Sequence, residues 1–187
     1  MDTIDAGRCA LVLVDYQARL MPAIHGADDV VRRAVQLASA ARVLGIPVIG
    51  TEQNRQGLGP NVDAVSALCD AIVAKRHFDA CEDGLCAVID ELASRARQVV
   101  VAGCEAHVCL LQTALGLLRQ ERRVWVVEPA CGSRRAEDHR LAMQRLQQAG
   151  ATLVSPEMVL FEWMRSSEHP RFRQVLEVVK QVPVDRP

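Results

Sequence analysis

The chain has 187 residues and a formal net charge of −1; 50% of it is hydrophobic but only 3% is aromatic. That size suits one α/β core, expected to span residues 1–187 as a single domain with an aliphatic interior. A nearly balanced charge gives no electrostatic case for nucleic acid or an anionic membrane as partner.

Seven cysteines (Cys9, Cys69, Cys81, Cys86, Cys104, Cys109 and Cys131) form an odd, scattered set. The start "MDTIDAGRC" is acidic and lacks an apolar run, so a signal peptide is not expected. Free thiols in a reducing cytoplasm are the expectation. The one membrane-like window, 99–118, is split by Glu105 and His107 into pieces too short to cross a bilayer.

In chain order, "CALVLVD" (9–15) reads as a strand ending in a carboxylate, and 28–45 as a helix stopped by Gly45. Val31, Ala34, Val35, Ala38, Ala41 and Val43 or Leu44 mark that helix's apolar face. "IPVIGT" (46–51) is a second strand, 61–69 a short helix, and "AIVAK" (71–75) a third strand. A helix over 82–96 leads to strand four, "QVVVAG" (98–103). A helix from about 106 to 120 then leads to strand five, "RVWVVE" (123–128). The helix 135–150, strand six "ATLVS" and a helical tail 157–180, broken at "EHP", complete the chain. Strands that are apolar throughout and alternate with helices must be covered on both faces. The expected fold is therefore α/β, a three-layer sandwich around a six-stranded parallel sheet. The order of the strands is not readable from these patterns.

Ligands of open parallel sheets lie beyond the carboxyl ends of the strands. Asp15 and Gln17 follow strand one; Thr51, Glu52 and Gln53 follow strand two; Lys75 ends strand three; Cys109 follows strand four. Asp15, Lys75 and Cys109 are an acid, a base and a nucleophile, the parts of an activated-thiol hydrolase. A helix start and a nearby ammonium both favour a thiolate, and lower a cysteine pKa by one to several units from about 8.5. Bland alternatives stay open: Cys109 as a buried hydrophobe, Asp15 as a turn cap, Lys75 as a solvated lysine, and Glu105 and His107 as helix-start groups. The stripe Val159, Phe161, Trp163 and Met164 suits a core or an intersubunit surface equally.

"LVLVDYQ", "TEQNRQGLGP", "KRHF", "GCEAHVCLLQTALGLL" and "VVEPACGSR", in this order and spacing, resemble the isochorismatase-like cysteine hydrolases, closest to the isochorismatase-domain subgroup with a similar "HPRF" segment (169–172). The resemblance covers nearly the whole chain. It implies a Rossmann-like sheet, an Asp15–Lys75–Cys109 triad, and a cis peptide between Cys104 and Glu105. That bond would turn the Glu105 N–H toward the Cys109 N–H as an oxyanion hole. Gln17, Glu52, Gln53, Phe78 and Cys104 are the expected substrate contacts, with Glu52 or Gln53 alternatively bracing the site.

The metal-using members of the family carry histidines after the second strand, whereas "TEQNRQGLGPN" has none; no metal and no cofactor are expected. Asp79 and Ala106 stand where the family has a serine and a threonine, which bears on the substrate and leaves the triad untouched. The expected activity is hydrolysis of a small carbonyl compound, an amide foremost, through a thioester. The alternatives are non-covalent acid/base hydrolysis of isochorismatase type, or a non-catalytic thiol sensor or scaffold. A small-molecule substrate and a homo-oligomer, dimer or larger, are the implied partners, with no nucleic acid and no membrane.

Overall fold

The computed structural model describes residues 3–182. Its sheet has six parallel strands: β1 (Cys9–Val14), β2 (Val48–Gln53), β3 (Ala71–Lys75), β4 (Gln98–Gly103), β5 (Arg123–Val127) and β6 (Thr152–Val154). They lie in the order β3-β2-β1-β4-β5-β6, every pair parallel. β1, β4 and all but the end of β2 are buried at every position, as continuous apolar runs in a covered parallel sheet must be.

The helices are α1 (Ala27–Leu44), the single turns α2 (Arg55–Leu58) and α3 (Asp63–Ser66), α4 (Leu85–Leu92), α5 (Leu111–Arg119), α6 (Ala136–Gln148), α7 (Pro156–Met164) and α8 (Phe172–Lys180). Right-handed crossovers carry the chain outward from β1 to β3, then back across to β4 and outward to β6. This reversal puts α1 on one face of the sheet and α4, α5 and α6 on the other, which completes the expected sandwich. α7 and α8 return to pack on α1.

Several boundaries differ from the sequence reading, each for a local reason. β2 starts after Pro47, which has no N–H to give the ladder, and runs on to Gln53 because Thr51–Gln53 pair with Val73–Lys75. The helix expected over 61–69 is the single turn α3. The one expected over 82–96 is divided by Gly84 (φ 94°) into a 3-10 turn, Ala80–Asp83, and α4. α1 buries Val30, Ala34, Leu37, Ala38, Ala40 and Ala41, so Val31 and Val35 sit at the edge of its face rather than in the middle. Of the tail stripe, Val159, Trp163 and Met164 are core and Phe161 is exposed.

The strand order reverses between β1 and β4, and the crevice there is where such folds bind ligands. Gly103 makes the close approach there possible. A Cβ on it would lie 2.4 Å from the Val14 carbonyl oxygen and 2.9 Å from the Val14 Cα, rigid backbone atoms that cannot yield.

Candidate active site

β1 is followed directly by Asp15, in the left-handed region (φ 55°), which aspartate tolerates better than most side chains. The carboxylate is wholly buried. Its Oδ1 accepts a 2.6 Å hydrogen bond from Thr51 Oγ1, on the neighbouring strand where Thr51 pairs with Val14. Lys75 Nζ lies 2.8 Å from Oδ2 in an ion pair whose two side chains are both 0% exposed. That contact is not an aligned hydrogen bond, and Oδ2 keeps a lone pair free to take a proton.

Lys75 comes from β3, two strands from Asp15, a span of roughly 10 Å that its long stem bridges across β2. Gln53 Oε1, in register with Lys75 at the end of β2, accepts from the ammonium at 2.7 Å, and the His77 carbonyl lies 3.4 Å away. A buried lysine keeps its charge only when it is surrounded in this way.

Cys109 follows β4. The chain does not enter a regular α-helix there, as the sequence reading had it, but a π-helical turn, Ala106–Leu110, which continues as α5. Such turns are rare and concentrate at functional sites. Cys109 is the fourth residue of the turn, within the first turn of the helical run, and is 7% exposed. Its thiol meets both Asp15 and Lys75. The expected thiolate is not what this setting favours. Burial, first, and then the Asp15 charge push the thiol up to about 12, and Lys75 only partly opposes them. The thiol rests neutral beside the Asp15–Lys75 pair.

The loop before the nucleophile is held from outside. The Cys104–Glu105 peptide is cis, and the Ala106 N–H donates to the Gly132 carbonyl at 2.7 Å. The Glu105 carboxylate accepts from Arg134 Nε at 2.8 Å, and His107 Nδ1 is 3.0 Å from Ser133 Oγ.

The expected substrate contacts divide. Gln17 is wholly buried; its amide donates to the Gln53 and Gly59 carbonyls and accepts from the Gln53 N–H, so its polar atoms are engaged with backbone. Glu52, also buried, accepts from the Asn61 N–H at 2.8 Å and pairs with Arg55 at 3.3 Å. Cys104 is 0% exposed and packs toward Gly132 and Cys131. These three brace the loops. Gln53 holds Lys75, and Phe78 is 49% exposed. A polar cleft of about 560 Å³ lies over the ends of β2 and β3, lined by Gln53, Asn54, Arg55, Gln56, Lys75 and Arg76 among others. Thr51, Arg134 and Ser133 carry roles that the sequence reading left out. Only the position of Thr51, at a strand end beside Asp15, pointed to one.

Six parallel strands in this order, with helices on both faces, define a doubly wound three-layer α/β architecture. The Isochorismatase domain family matches residues 9–158, and the chain belongs to it. Isochorismatase domain-containing protein 2 of Bos taurus is 35% identical over 181 residues, covering 96% of this chain and 86% of that protein. Among solved structures, MAR1 ribonuclease from Caenorhabditis elegans superposes with a TM-score of 0.89 at 29% identity over 100% of both chains. The YcaC gene product of Escherichia coli, an octameric hydrolase of unknown specificity, superposes with a TM-score of 0.82 at 25% identity over 98% of both. Family and fold make this chain a hydrolase of the isochorismatase-like superfamily.

Proposed function

We propose that the chain is a metal-independent cysteine hydrolase of a small carbonyl compound, an amide in the first instance. The observation that carries the reading is the meeting of Asp15, Lys75 and Cys109, from three different strand ends, in one water-poor spot. Because the thiol rests neutral, Asp15 must take its proton as the sulfur attacks the carbonyl carbon. Lys75 pairs with Asp15 before that step and balances the charge during it. The Glu105 and Cys109 backbone N–H groups receive the carbonyl oxygen as it becomes an oxyanion.

Collapse breaks the C–N bond, with Asp15 returning the proton to the departing nitrogen, and leaves a thioester on Cys109. Asp15 then takes a proton from water, which attacks the thioester and releases the acid and the thiol. A cysteine nucleophile and a carboxylate that alternates as base and acid complete the cycle without a metal, in keeping with the absence of histidine from 51–61.

The thiol pushed up to about 12 favours one second reading: Asp15 protonates a leaving group directly and Cys109 stands by. The two separate on a panel of small amides and esters assayed with wild type and Cys109→Ala. Covalent catalysis requires the variant to lose turnover by on the order of a thousandfold or more while its circular dichroism is unchanged; wild-type turnover by the variant supports the second reading instead.

A nearly neutral chain suits a small substrate better than a polyanion, whatever the ribonuclease name of the C. elegans protein denotes for that protein. No helix among the described residues is long and apolar enough to cross a membrane. Seven free thiols fit a cytoplasmic setting. The octameric E. coli relative supports a homo-oligomer here.

A further inference from the structure

Away from the triad, Cys81 and Cys86 bring a second pair of thiols together. Cys81 lies in the Ala80–Asp83 turn and Cys86 is the second residue of α4; Gly84, in the left-handed region at φ 94°, folds the chain between them. Both residues are part-exposed, unlike Cys9, Cys104, Cys109 and Cys131, which are buried. The Cys81 thiol lies 3.9 Å from the Thr113 carbonyl oxygen, and each of the two thiols is the first influence on the other's proton.

The turn that carries Cys81 is firmly built. The Cys81 N–H donates to Asp79 Oδ1 at 2.9 Å, Asp79 Oδ2 holds Arg119 at 2.6 Å, and the Ala80 N–H donates to Thr113 Oγ1 at 3.1 Å. Asp79 fits there because Gly116 on α5 has no side chain: a Cβ would lie 2.4 Å from the carboxylate oxygens. With Cys81 held in this frame and Cys86 on the first turn of α4 just past Gly84, the pair has little conformational entropy left to lose on joining.

We propose that Cys81 and Cys86 form a peroxide-reactive dithiol that closes to an intramolecular disulfide between the turn and the start of α4. The neighbouring Cys81 thiol, first, and the charge of Arg122, against burial, Asp90 and Asp79, bring Cys86 down to about 7, while Cys81 is raised. Cys86 is therefore the attacking thiolate and Cys81 the resolving thiol. Cys86 sulfur takes the terminal OH of a hydroperoxide; the O–O bond breaks, and the departing alkoxide takes up the thiol proton and leaves as the alcohol, or as water from hydrogen peroxide. Cys81 sulfur then attacks the Cys86 sulfenic acid, the S–S bond forms, and hydroxide leaves with the Cys81 proton as water. Two thiols are oxidised by two electrons and one peroxide is reduced. Nothing in this step depends on the hydrolase chemistry.

The test treats the full-length protein with a small excess of hydrogen peroxide, alkylates with N-ethylmaleimide, digests with trypsin and reads the peptide 77–95, which carries both residues and no other cysteine. The expected result is a peptide lighter by two hydrogens that takes no label until it is reduced with dithiothreitol and then takes two. In Cys81→Ser, where resolution is blocked, dimedone should mark Cys86. A 77–95 peptide that still takes two labels directly after peroxide overturns the proposal, and this wild-type arm stands even where the variant does not fold. A folded Cys81→Ser without dimedone on Cys86 overturns the assigned roles.

Discussion

At the scale of single residues, the site turns on how one proton is shared. Asp15 raises the Cys109 thiol and Lys75 lowers it, so removing either should move the thiol in opposite directions. The rate of Cys109 alkylation by iodoacetamide, followed by peptide mapping across pH, should have a strongly alkaline midpoint in wild type. The midpoint should fall in Asp15→Asn and rise in Lys75→Met; shifts of the same sign in both would refute the assignment. The Thr51 hydroxyl aims Asp15 through its 2.6 Å hydrogen bond. Thr51→Val keeps the shape and removes the donor. It should lower kcat about tenfold with KM little changed, the cost of one hydrogen bond to a charged group; a change confined to KM would speak for substrate contact. The positions of Asp15 and Lys75 at strand ends, and of Cys109 beyond β4, were legible in the sequence because a polar residue at the end of an apolar run needs a reason. The resting state of the thiol was not legible, since burial and the Asp15 charge are properties of the assembled fold.

At the scale of elements, the strands were legible because an apolar run bounded by turn residues has one comfortable place in a covered sheet. Helix limits were less so. Gly84 divides one predicted helix, and the π turn at 106–110 is set by what the Glu105–Cys109 loop meets outside itself, the Gly132 carbonyl and Arg134, which no local pattern encodes. β1 and β4 pack closely where Gly103 faces Val14, leaving no room for a Cβ. Gly103→Ala should therefore destabilise the fold by about 3 kcal/mol through overpacking against backbone, read as a lower midpoint in urea. A variant as stable as wild type would mean that the two strands can part there. At the other end of the chain, Ser155 caps α7 by accepting from the Met158 N–H at 3.2 Å, and Ser155→Ala should cost about 1 kcal/mol in the same measurement.

At the scale of the whole molecule, strand order was not legible because pairing in a parallel sheet is decided by crossovers and packing rather than by any one segment. The buried thiols give the chain a global response to alkali. Cys9, Cys109 and Cys131 are each pushed up to about 12 by burial, from an ordinary value of 9.0. Between those values the unfolded chain sheds protons that the folded one keeps, so stability is whole below about pH 9 and declines as pH rises toward about 12. The urea midpoint should fall steadily across that window, and a flat profile would contradict the burial of these groups. The exposed Phe78, Met158 and Phe161 are apolar surface that a second copy could cover. Sedimentation should accordingly give a mass above that of the 20.5 kDa chain, and a strict monomer would remove the oligomer from the proposal.

The most direct measurement is the mass of the enzyme caught in turnover. With an amide that wild type hydrolyses, rapid acid quench and mass spectrometry should find the acyl group of the substrate on the tryptic peptide 98–119, assigned by fragmentation to Cys109 rather than Cys104. Asp15→Asn should show no such adduct, because nothing then takes the thiol proton. Steady turnover with an unmodified Cys109, undiminished in Cys109→Ala, would contradict covalent catalysis and leave Asp15 acting on the substrate alone.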